Sequence, residues 1–568
     1  WFVEQLAPGT PAYNVPALVR LAGTLDAEAL RRSLEEVVRR HEGIRTRFAP
    51  ADGEPVQAVA PAGPLALPVE DVAGEDEARR VFADEARRPF DLAGEALFRF
   101  RLLRVAADEH VLLLVVHHAV ADGWSMGVLF REIAALYPAF AEGRPSPLPE
   151  PALQYADFAL WQRGWMRGEV LDRQLAFWRE RLAGAPPVLD LPTDFPRPAA
   201  QSFRGAVHRF VLPQALAERV HALARREGAT PFMALLAAFQ ALLARYARQD
   251  EVVVGSPIAG RTRVEVEGTI GNFVNALPLR ADLSDDPSFR ALLGRVREAT
   301  LGAYQHQDVP LERVVEELRI ARDLARNPLF QAVFVLQNAP MERADLPGVG
   351  MRLELGDTGT AKFDLTLTLE ETPDGLRGRL EYATDLFSTE TAVRFAGHFG
   401  VLLDAAAADP DAPASTLPVL TPEERRALVA PPARPSPRPE WTLHGRFRET
   451  AARFPHAVAV ASGGERLTYA DLDARSDRLA AALRARGVAA ESLVGLCLER
   501  GTGLVVGILG ILKAGGAYVP LDPSLPADRL AFLLSDSGVR VVVAEERTRG
   551  ALPEFGGEVV VAISPTRG

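Results

Sequence analysis

The spacing of apolar and polar positions changes along the chain and predicts a mixture of helices and strands. Residues 111–116 form an unbroken apolar run rich in β-branched side chains, as in a buried strand. Residues 27–38 place apolar side chains at helical spacing after Asp26, a residue type that caps helix N-termini. Residues 362–369 alternate between apolar and polar, as in a half-buried strand. The pattern therefore predicts the α/β class.

Two proline-dense stretches divide the chain. Residues 186–198 are predicted to connect two lobes. Residues 431–439 contain too much proline for a helix or a central strand and predict a semi-rigid, extended linker. The predicted organisation is a first lobe at residues 1–185, a second lobe at 186–420, a proline-rich linker at 421–440 and a further α/β piece at 441–568.

Composition narrows the class of protein and its partners. The chain has 568 residues, more than one hydrophobic core usually supports, and its formal net charge of -11 argues against nucleic acid as the main partner. No apolar run approaches the ~20 residues of a membrane-spanning helix, so no membrane segment is predicted. The single cysteine, Cys497, permits no internal disulfide, and no cluster of metal-ligating side chains is visible. These features favour a cytoplasmic enzyme.

The main chemical signal lies directly after the predicted strand at residues 111–116. Two adjacent imidazoles end this strand, and an acid, a glycine and a tryptophan follow within eight positions: His117, His118, Asp122, Gly123 and Trp124. Adjacent side chains of a strand point to opposite faces, so at most one imidazole can reach a given cleft. Histidine is the usual general base near neutral pH, since its unperturbed pKa is about 6.5. With the acid and glycine beyond it, the pair favours catalysis over a structural role.

This stretch resembles the active-site motif of the condensation domains of non-ribosomal peptide synthetases, in which two histidines, three variable residues and Asp-Gly follow one another. The resemblance extends in family order to further motifs at residues 40–48, 155–162, 270–280, 306–312 and 322–331. The chain departs from the usual family residues at Phe158, Asn272 and Ala276. Residues 1–6 are similar to the end of the first family motif, so the start is expected to be clipped. The superfamily includes chloramphenicol acetyltransferase, and the resemblance implies two such lobes in a V shape with the histidine motif at their junction.

Beyond the proline-rich linker, residues 467–472 and 512–523 resemble the first two motifs of the synthetase adenylation domains. The phosphate loop that should follow is absent, which implies a truncated adenylation domain with an incomplete ATP site. No serine lies in a carrier-domain motif, so no covalently bound cofactor is expected. The resemblance implies that upstream and downstream peptidyl carrier domains bring the substrates on phosphopantetheine arms.

The chemistry that the resemblance implies is acyl transfer between two carriers. The amine of a downstream aminoacyl thioester attacks an upstream acyl or peptidyl thioester, and an amide bond forms. His118 is the candidate catalytic residue, either as a general base or as the group that positions the amine. His117 is expected to pack behind the site.

Five further residues are given supporting roles. Asp122 is expected to form a structural ion pair with Arg45, a pairing that the resemblance suggests. Gly123 would permit a tight turn or the close approach of a thioester. Trp124 is expected in the core rather than against substrate, and Asn275 is a weaker candidate taken from its family motif alone.

Two other functions of the same fold stay open. An epimerisation domain shares the motif but typically follows a carrier domain and rarely precedes an adenylation domain. A non-catalytic recruitment domain usually has a damaged histidine motif, whereas this motif is intact. A cyclising relative would have aspartates in place of His117 and His118 and does not fit. Residues 277–280 favour an L-configured donor residue.

Overall fold

The computed structural model describes residues 1–6, 8–51, 54–321, 323–337, 346–429 and 441–561. The chain divides into two compact units, Trp1–Leu428 and Val429–Gly568. The proline-rich segment at residues 431–439, predicted to be an extended linker, lies outside the described residues. The part of the predicted linker that precedes it instead contains a helix, Pro422–Val429.

The first lobe of the first unit consists of helices and strands in nearly alternating order. In chain order its elements are α1 (Phe2–Leu6), β1 (Asn14–Gly23), α2 (Ala27–Arg40), β2 (Thr46–Ala51), β3 (Glu54–Val59), β4 (Val69–Asp71), α3 (Glu75–Arg87), β5 (Phe98–Ala106), β6 (Glu109–His117), α4 (Gly123–Ala141), α5 (Tyr155–Trp165) and α6 (Glu169–Arg181).

The second lobe follows the connector at residues 186–198 and also contains both helices and strands. Its elements are β7 (Gly205–Pro213), α7 (Gln214–Arg226), α8 (Pro231–Ala247), β8 (Glu251–Ile258), β9 (Asn275–Asp282), α9 (Phe289–Gln305), α10 (Leu311–Glu317), β10 (Ala332–Gln337), β11 (Val349–Leu355), β12 (Leu365–Thr372), β13 (Gly375–Ala383), α11 (Thr389–Ala408) and α12 (Pro422–Val429).

The first-lobe sheet has the strand order β11-β1-β6-β5-β4. Strand β6 pairs antiparallel with β1 on one side and β5 on the other, and every residue of β6 after Glu109 is buried. This position explains why the β6 sequence is a continuous apolar run rather than an alternating one. Strand β11 comes from the second lobe and extends this sheet at β1, so the two lobes share backbone hydrogen bonds.

The second-lobe sheet has the order β7-β13-β12-β10-β8-β9, with β10 parallel to both β12 and β8 and the other pairs antiparallel. Helix α8 lies in the core of this lobe, and its residues 233–244 are all buried. Its first turn has Thr230 as N-cap, which accepts a hydrogen bond from the Met233 N–H, and Pro231 at the first helical position. Both features are local signals for the start of a helix.

The second unit forms a smaller α/β body. Its elements are α13 (Leu443–Arg453), β14 (Val458–Ser462), β15 (Glu465–Thr468), α14 (Tyr469–Arg484), β16 (Leu493–Cys497), α15 (Thr502–Ala514), β17 (Ala517–Pro520), α16 (Ala527–Ser537), β18 (Val541–Ala544), α17 (Glu546–Arg549) and β19 (Glu558–Val561). Four of the strands form a parallel sheet in the order β17-β16-β18-β19.

The two segments of this unit that resemble adenylation motifs are joined by a buried charge. Lys513 forms ion pairs with Asp473 and, at 3.0 Å, with Asp477, and its side chain is fully buried. The lysine therefore fixes α15 against α14. Cys497 ends β16 and is buried, as expected for a small apolar side chain.

The described residues contain neither a single helix that could span a membrane nor a cluster of metal-ligating side chains. No single helix there is long and apolar enough to cross a membrane, although the bent pair α7–α8 passes by length and composition alone. No three His, Cys, Asp or Glu side chains in the described ranges lie together as a metal site would require.

Helix α2 provides a test of the capping inferred from sequence. Asp26 accepts hydrogen bonds from the N–H groups of Glu28 and Ala29, at 3.0 and 2.9 Å. Asp26→Ala should lower the free energy of unfolding by about 1 kcal/mol, because two N–H groups lose their partner. Asp26→Asn keeps an acceptor and should lower it less. Urea denaturation of both variants measures the difference, and equal losses would contradict the capping role.

Candidate active site

The backbone of the two adjacent histidines is held from both sides of the first-lobe sheet. The His117 N–H donates to the Leu97 carbonyl at 2.9 Å, and the His118 N–H donates to the Tyr13 carbonyl at 2.8 Å. The chain then turns into α4, whose N-cap is Asp122. The histidine pair therefore lies on a rigid strand end rather than on a free loop.

His117 is a packed, neutral side chain. It is buried, and its ring lies edge-on to the Phe90 ring, with centroids 5.9 Å apart. Its Nδ1 accepts a hydrogen bond from the Ala119 N–H at 3.1 Å, which assigns the ring proton to Nε2. Burial, followed by the charge of His118, lowers the pKa of His117 to about 3. These contacts fit the structural role expected for His117.

His118 is partly buried and lines a cleft of about 770 Å³. Both lobes contribute to this cleft: Tyr13, Tyr155 and Trp161 come from the first lobe, and Ser256, Asn275 and Lys362 from the second. Burial lowers the pKa of His118 to about 4, and the charge of Lys362 acts in the same direction, whereas Asp122 opposes it. At neutral pH the imidazole is therefore uncharged and has one nitrogen free to accept a proton or a hydrogen bond.

Asp122 forms a buried ion pair with Arg261 of the second lobe. Nη2 of Arg261 donates to Oδ1 and Oδ2 of Asp122, at 3.1 and 3.3 Å, and both side chains are almost completely inaccessible to solvent. The Asp122 carboxylate also accepts from the N–H groups of Ser125 at 2.8 Å and Phe273 at 3.0 Å. All these donors satisfy the carboxylate, so the loop that follows His118 is tied to a loop of the other lobe.

The expectation that Asp122 pairs with Arg45 was wrong. Arg45 ends a short 3₁₀ turn, and its guanidinium donates instead to the carbonyls of Val38 at 3.0 Å, Arg39 at 3.1 Å and Ala60. These three acceptors fix Arg45 at the end of α2 and the neighbouring chain. Asp122 does form a buried ion pair with an arginine, as expected, but that arginine is Arg261 and not Arg45.

The guanidinium of Arg261 is also held by carbonyl groups of its own loop. Its Nη1 donates to the carbonyls of Val266 at 2.6 Å and Thr269 at 2.7 Å, within its own loop. Its guanidinium also lies 4.0 Å from the centroid of the Phe273 ring. The loop between β8 and β9 is thus shaped around this one side chain.

Gly123 and Trp124 begin helix α4 next to this ion pair. Gly123 lies outside the left-handed region, and no heavy atom lies within 4 Å of the position its Cβ would take. The expected tight turn therefore does not explain this glycine, and the approach of a thioester stays a prediction. Trp124 donates from Nε1 to the Glu267 carbonyl at 2.9 Å and is partly buried, so it packs against the first-lobe core rather than within it.

Asn275 lines the cleft and stabilises its second-lobe wall through hydrogen bonds. Its Nδ2 donates to the carbonyls of Gln307 at 2.9 Å and Val309 at 2.8 Å, and its Oδ1 accepts from the Leu311 N–H at 3.1 Å. These bonds hold β9 to the segment that begins α10. These contacts give Asn275 a structural role in the cleft wall.

The structure adds two charged residues that the sequence analysis did not assign to the site, Lys362 and Glu381. Both line the cleft, and burial lowers the pKa of Lys362 and raises that of Glu381. For Lys362 the signal in the sequence is a charge at the start of an alternating apolar segment, which by itself also fits a strand end exposed to solvent.

Comparisons with known proteins assign both parts of the chain to families. Residues 1–429 match the family model described as "Condensation domain". The chain belongs to the condensation-domain family. Residues 447–564 match a second family model, "AMP-binding enzyme". The fold predicted for both parts, with lobes like those of chloramphenicol acetyltransferase, is confirmed.

Relatives and solved structures extend the similarity along the whole chain. The chain is 46% identical over 565 residues to a linear gramicidin synthase of Brevibacillus parabrevis, covering 98% of this chain and 7% of the relative. It is 41% identical to the dimodular nonribosomal peptide synthase of Bacillus subtilis, covering 97% of this chain and 24% of that protein. The chain thus spans only a small part of these relatives.

Among solved structures, the four-domain nonribosomal peptide synthetase AB3403, bound to AMP and glycine, matches 99% of this chain and 44% of its own at 25% identity, with a TM-score of 0.74. The X-domain from teicoplanin biosynthesis matches 73% of this chain and 94% of its own, at 33% identity and a TM-score of 0.69. The condensation fold is therefore shared with several differently named domains.

The buried pair Asp122–Arg261 predicts coupled effects on stability. Asp122→Ala and Arg261→Ala should each lower the free energy of unfolding by about 3–5 kcal/mol, because each leaves one buried charge without its partner. The double variant should lose less than the sum of the two. Arg45→Ala is the matched control, and its effect should simply add to that of Asp122→Ala. Additivity between Asp122 and Arg261 in urea denaturation would contradict the pairing.

Proposed function

We propose that the first unit of this chain forms an amide bond between two carrier-bound substrates. The donor is an acyl or peptidyl thioester on an upstream carrier domain, and the acceptor is the amine of an aminoacyl thioester on a downstream carrier domain. The observation that carries the proposal is the neutral imidazole of His118 in a cleft lined by both lobes. Synthetase relatives over nearly the whole chain support it.

The site supplies what the reaction needs. An α-amine has a pKa of about 8, so much of it is protonated at neutral pH and only the neutral fraction can attack. When that fraction attacks the thioester carbonyl, the C–N bond forms and the nitrogen becomes cationic. The uncharged His118 accepts the proton, the C–S bond breaks, and the proton is returned to the departing thiolate.

The fixed position of His118 and the enclosure of the substrates in the cleft support this proton transfer. The cleft volume of about 770 Å³ lies in the usual range for sites that enclose a small-molecule group. The backbone of His118 is fixed by Tyr13, and the loop beyond it by the Asp122–Arg261 pair. Holding both substrates in register can contribute more to the rate than the base itself.

The partners in this proposal are two carrier domains with phosphopantetheine arms. The chain itself needs no covalently bound cofactor for the step, since each substrate brings its own thioester. The second unit matches AMP-binding enzymes and follows the condensation unit in the chain, an order that supports an elongation module.

His118→Ala tests the proposed chemistry directly. With two loaded carriers, the single-turnover rate of dipeptide formation should fall by roughly 100-fold or more, in line with the loss of a positioned base. Folding should be unchanged, because the side chain faces the cleft. Mass spectrometry of the downstream carrier measures the product, and a rate close to that of the original chain would overturn the assignment.

His117→Ala is the matched comparison, since it removes the neighbouring imidazole from the packed side of the strand. It should lower thermal stability and reduce the rate less than His118→Ala does.

Chiral analysis of the carrier-bound residues distinguishes the alternative functions. Inversion of a residue without a gain in mass would indicate epimerisation, and no change with either assay would indicate recruitment alone.

A further inference from the structure

Asn272 and Asn275 lie three residues apart and both line the cleft, but their side chains are engaged differently. The carboxamide of Asn275 is fully used, since its Nδ2 donates to two carbonyls and its Oδ1 accepts from the N–H groups of Ala276 and Leu311, at 2.9 and 3.1 Å. The carboxamide of Asn272 forms no hydrogen bond with any described residue, and its Oδ1 is buried without a partner. Such buried polar atoms are uncommon in folded proteins. The Asn272 amide is therefore left for a ligand.

The backbone around Asn272 is held by residues of the first lobe. The Tyr155 hydroxyl donates to the Asn272 carbonyl at 2.8 Å, and the N–H of the next residue, Phe273, donates to the Asp122 carboxylate at 3.0 Å. A Cβ on Gly271 would lie 2.2 Å from the Tyr155 ring, so this ring packs directly on the loop. The carboxamide of Asn272 thus extends from a fixed backbone, although its own polar atoms have no partner.

The surface beside Asn272 is mainly aromatic. The Phe273 ring lies edge-on to the Tyr155 ring, with centroids 5.0 Å apart, and its centroid is 4.8 Å from that of the Phe158 ring. All three aromatic residues line the cleft. Sites that bind small molecules typically combine an apolar lining with a few polar groups that fix the orientation of the ligand. Asn272 is placed as such a polar group on this wall.

The positions at which the chain departs from the usual family residues are found on the same surface. These positions are Phe158, Asn272 and Ala276, and all three line the cleft. Of the three side chains, only that of Asn272 can form a hydrogen bond. Because function resides in the site and not in the fold, the hydrogen-bonding group on this wall is a feature of this chain in particular.

The orientation of the Asn272 carboxamide determines which ligand group it can bind. Oδ1 is the enclosed atom, whereas Nδ2 is not enclosed and donates to no described residue. The reverse orientation would enclose an NH₂ group and leave two donors unsatisfied in place of one acceptor, which costs more free energy. The end of the amide that faces the cleft is therefore the donor, and its ligand must supply an acceptor.

We propose that Asn272 is a substrate-binding residue whose Nδ2 donates a hydrogen bond to a carbonyl oxygen of a carrier-bound acyl substrate. This inference rests on the proposed function for the identity of the ligand. The acyl group offers the carbonyl next to the thioester sulfur, and the pantetheine arm offers amide carbonyls. Both are neutral acceptors that suit an amide NH₂ group, whereas an ammonium group has donors only and does not.

A matched pair of ligands tests this hydrogen bond without any reaction. S-Acetyl pantetheine contains the thioester carbonyl, and S-ethyl pantetheine has a methylene group in its place. The two ligands carry the same arm and no amine, so they differ in this one acceptor. Binding of each ligand to the full chain is measured by NMR titration, for the original chain and for each variant.

Asn272→Leu removes the donor at similar size. It should weaken binding of S-acetyl pantetheine by about 2- to 10-fold, the loss expected for one hydrogen bond, and leave binding of S-ethyl pantetheine nearly unchanged. Asn272→Asp keeps the shape of the side chain but has acceptors only, so it should weaken S-acetyl pantetheine at least as much. The aspartate variant also covers the case in which the leucine variant does not fold.

Gln162→Leu is the matched control. Gln162 lines the same cleft from α5, and neither of its side-chain polar atoms is buried without a partner. Its removal should therefore leave the binding of both ligands unchanged. Equal losses for both ligands in the two Asn272 variants alone, with unchanged melting temperatures, would support the inference with an amide carbonyl of the arm as acceptor. No loss, tighter binding by Asn272→Asp, or the same losses in Gln162→Leu would overturn it.

Rates of dipeptide formation separate this inference from the proposed function. If dipeptide forms, Asn272→Leu should raise the half-saturating concentration of one loaded carrier, which identifies the donor or the acceptor as the substrate that is bound. If the original chain forms no dipeptide while the Asn272 variants still lose binding, the proposed function fails and the inference stands. If dipeptide forms and neither ligand responds to the Asn272 variants, the inference fails and the proposed function stands.

Discussion

The buried pair of Asp122 and Arg261 is the interaction on which the site depends. Asp122 caps helix α4 at the end of the histidine loop, and Arg261 organises the loop between β8 and β9 of the other lobe. Both charges are removed from water, and they are tolerated because each has several hydrogen-bond partners. Since one pair serves both loops, the position of His118 and the second-lobe wall of the cleft are set together.

A second connection between the lobes acts through the backbone. Strand β11 leaves the second lobe and joins β1 at the edge of the first-lobe sheet. Strand β1 in turn pairs with β6, which ends at the histidines, with Asn14 opposite His117. Strand β6, which carries the histidines at its end, is therefore one strand away from a segment of the other lobe. The pairing of β1 with β6 fixes the start of the loop that follows the histidines, and the Asp122–Arg261 ion pair fixes its end.

The two histidines show how one backbone geometry produces two chemical roles. Alternation along β6 sends His117 to a packed environment beside Phe90 and His118 to the cleft. Burial keeps both rings neutral, and both residues contribute to the cleft lining, but His118 is the more exposed of the two. The family to which this chain belongs contains domains of several kinds, and these local contacts, rather than the fold, support a catalytic role.

Local patterns were enough to predict many elements and the histidine motif. The apolar run of β6, the Asp26 cap and Pro231 at the start of α8 act through near neighbours in the chain, so their consequences can be read in the sequence. The packed role of Trp124 also followed from its residue type. The family motifs added the order of the lobes and the expectation of an Asp–Arg pair.

Only the tertiary structure decided which residues meet. Arg261 lies 139 positions from Asp122, and nothing in the spacing of either residue distinguishes it from Arg45. In the sequence Lys362 resembles the polar start of a strand, but the structure places it over the Tyr13 ring, in the cleft that His118 also lines. The sequence by itself determined the strand and the candidate side chain at its end, His118, because hydrophobic periodicity and capping are local. The partners of that side chain depend on the packing of two lobes, which is a long-range property of the chain.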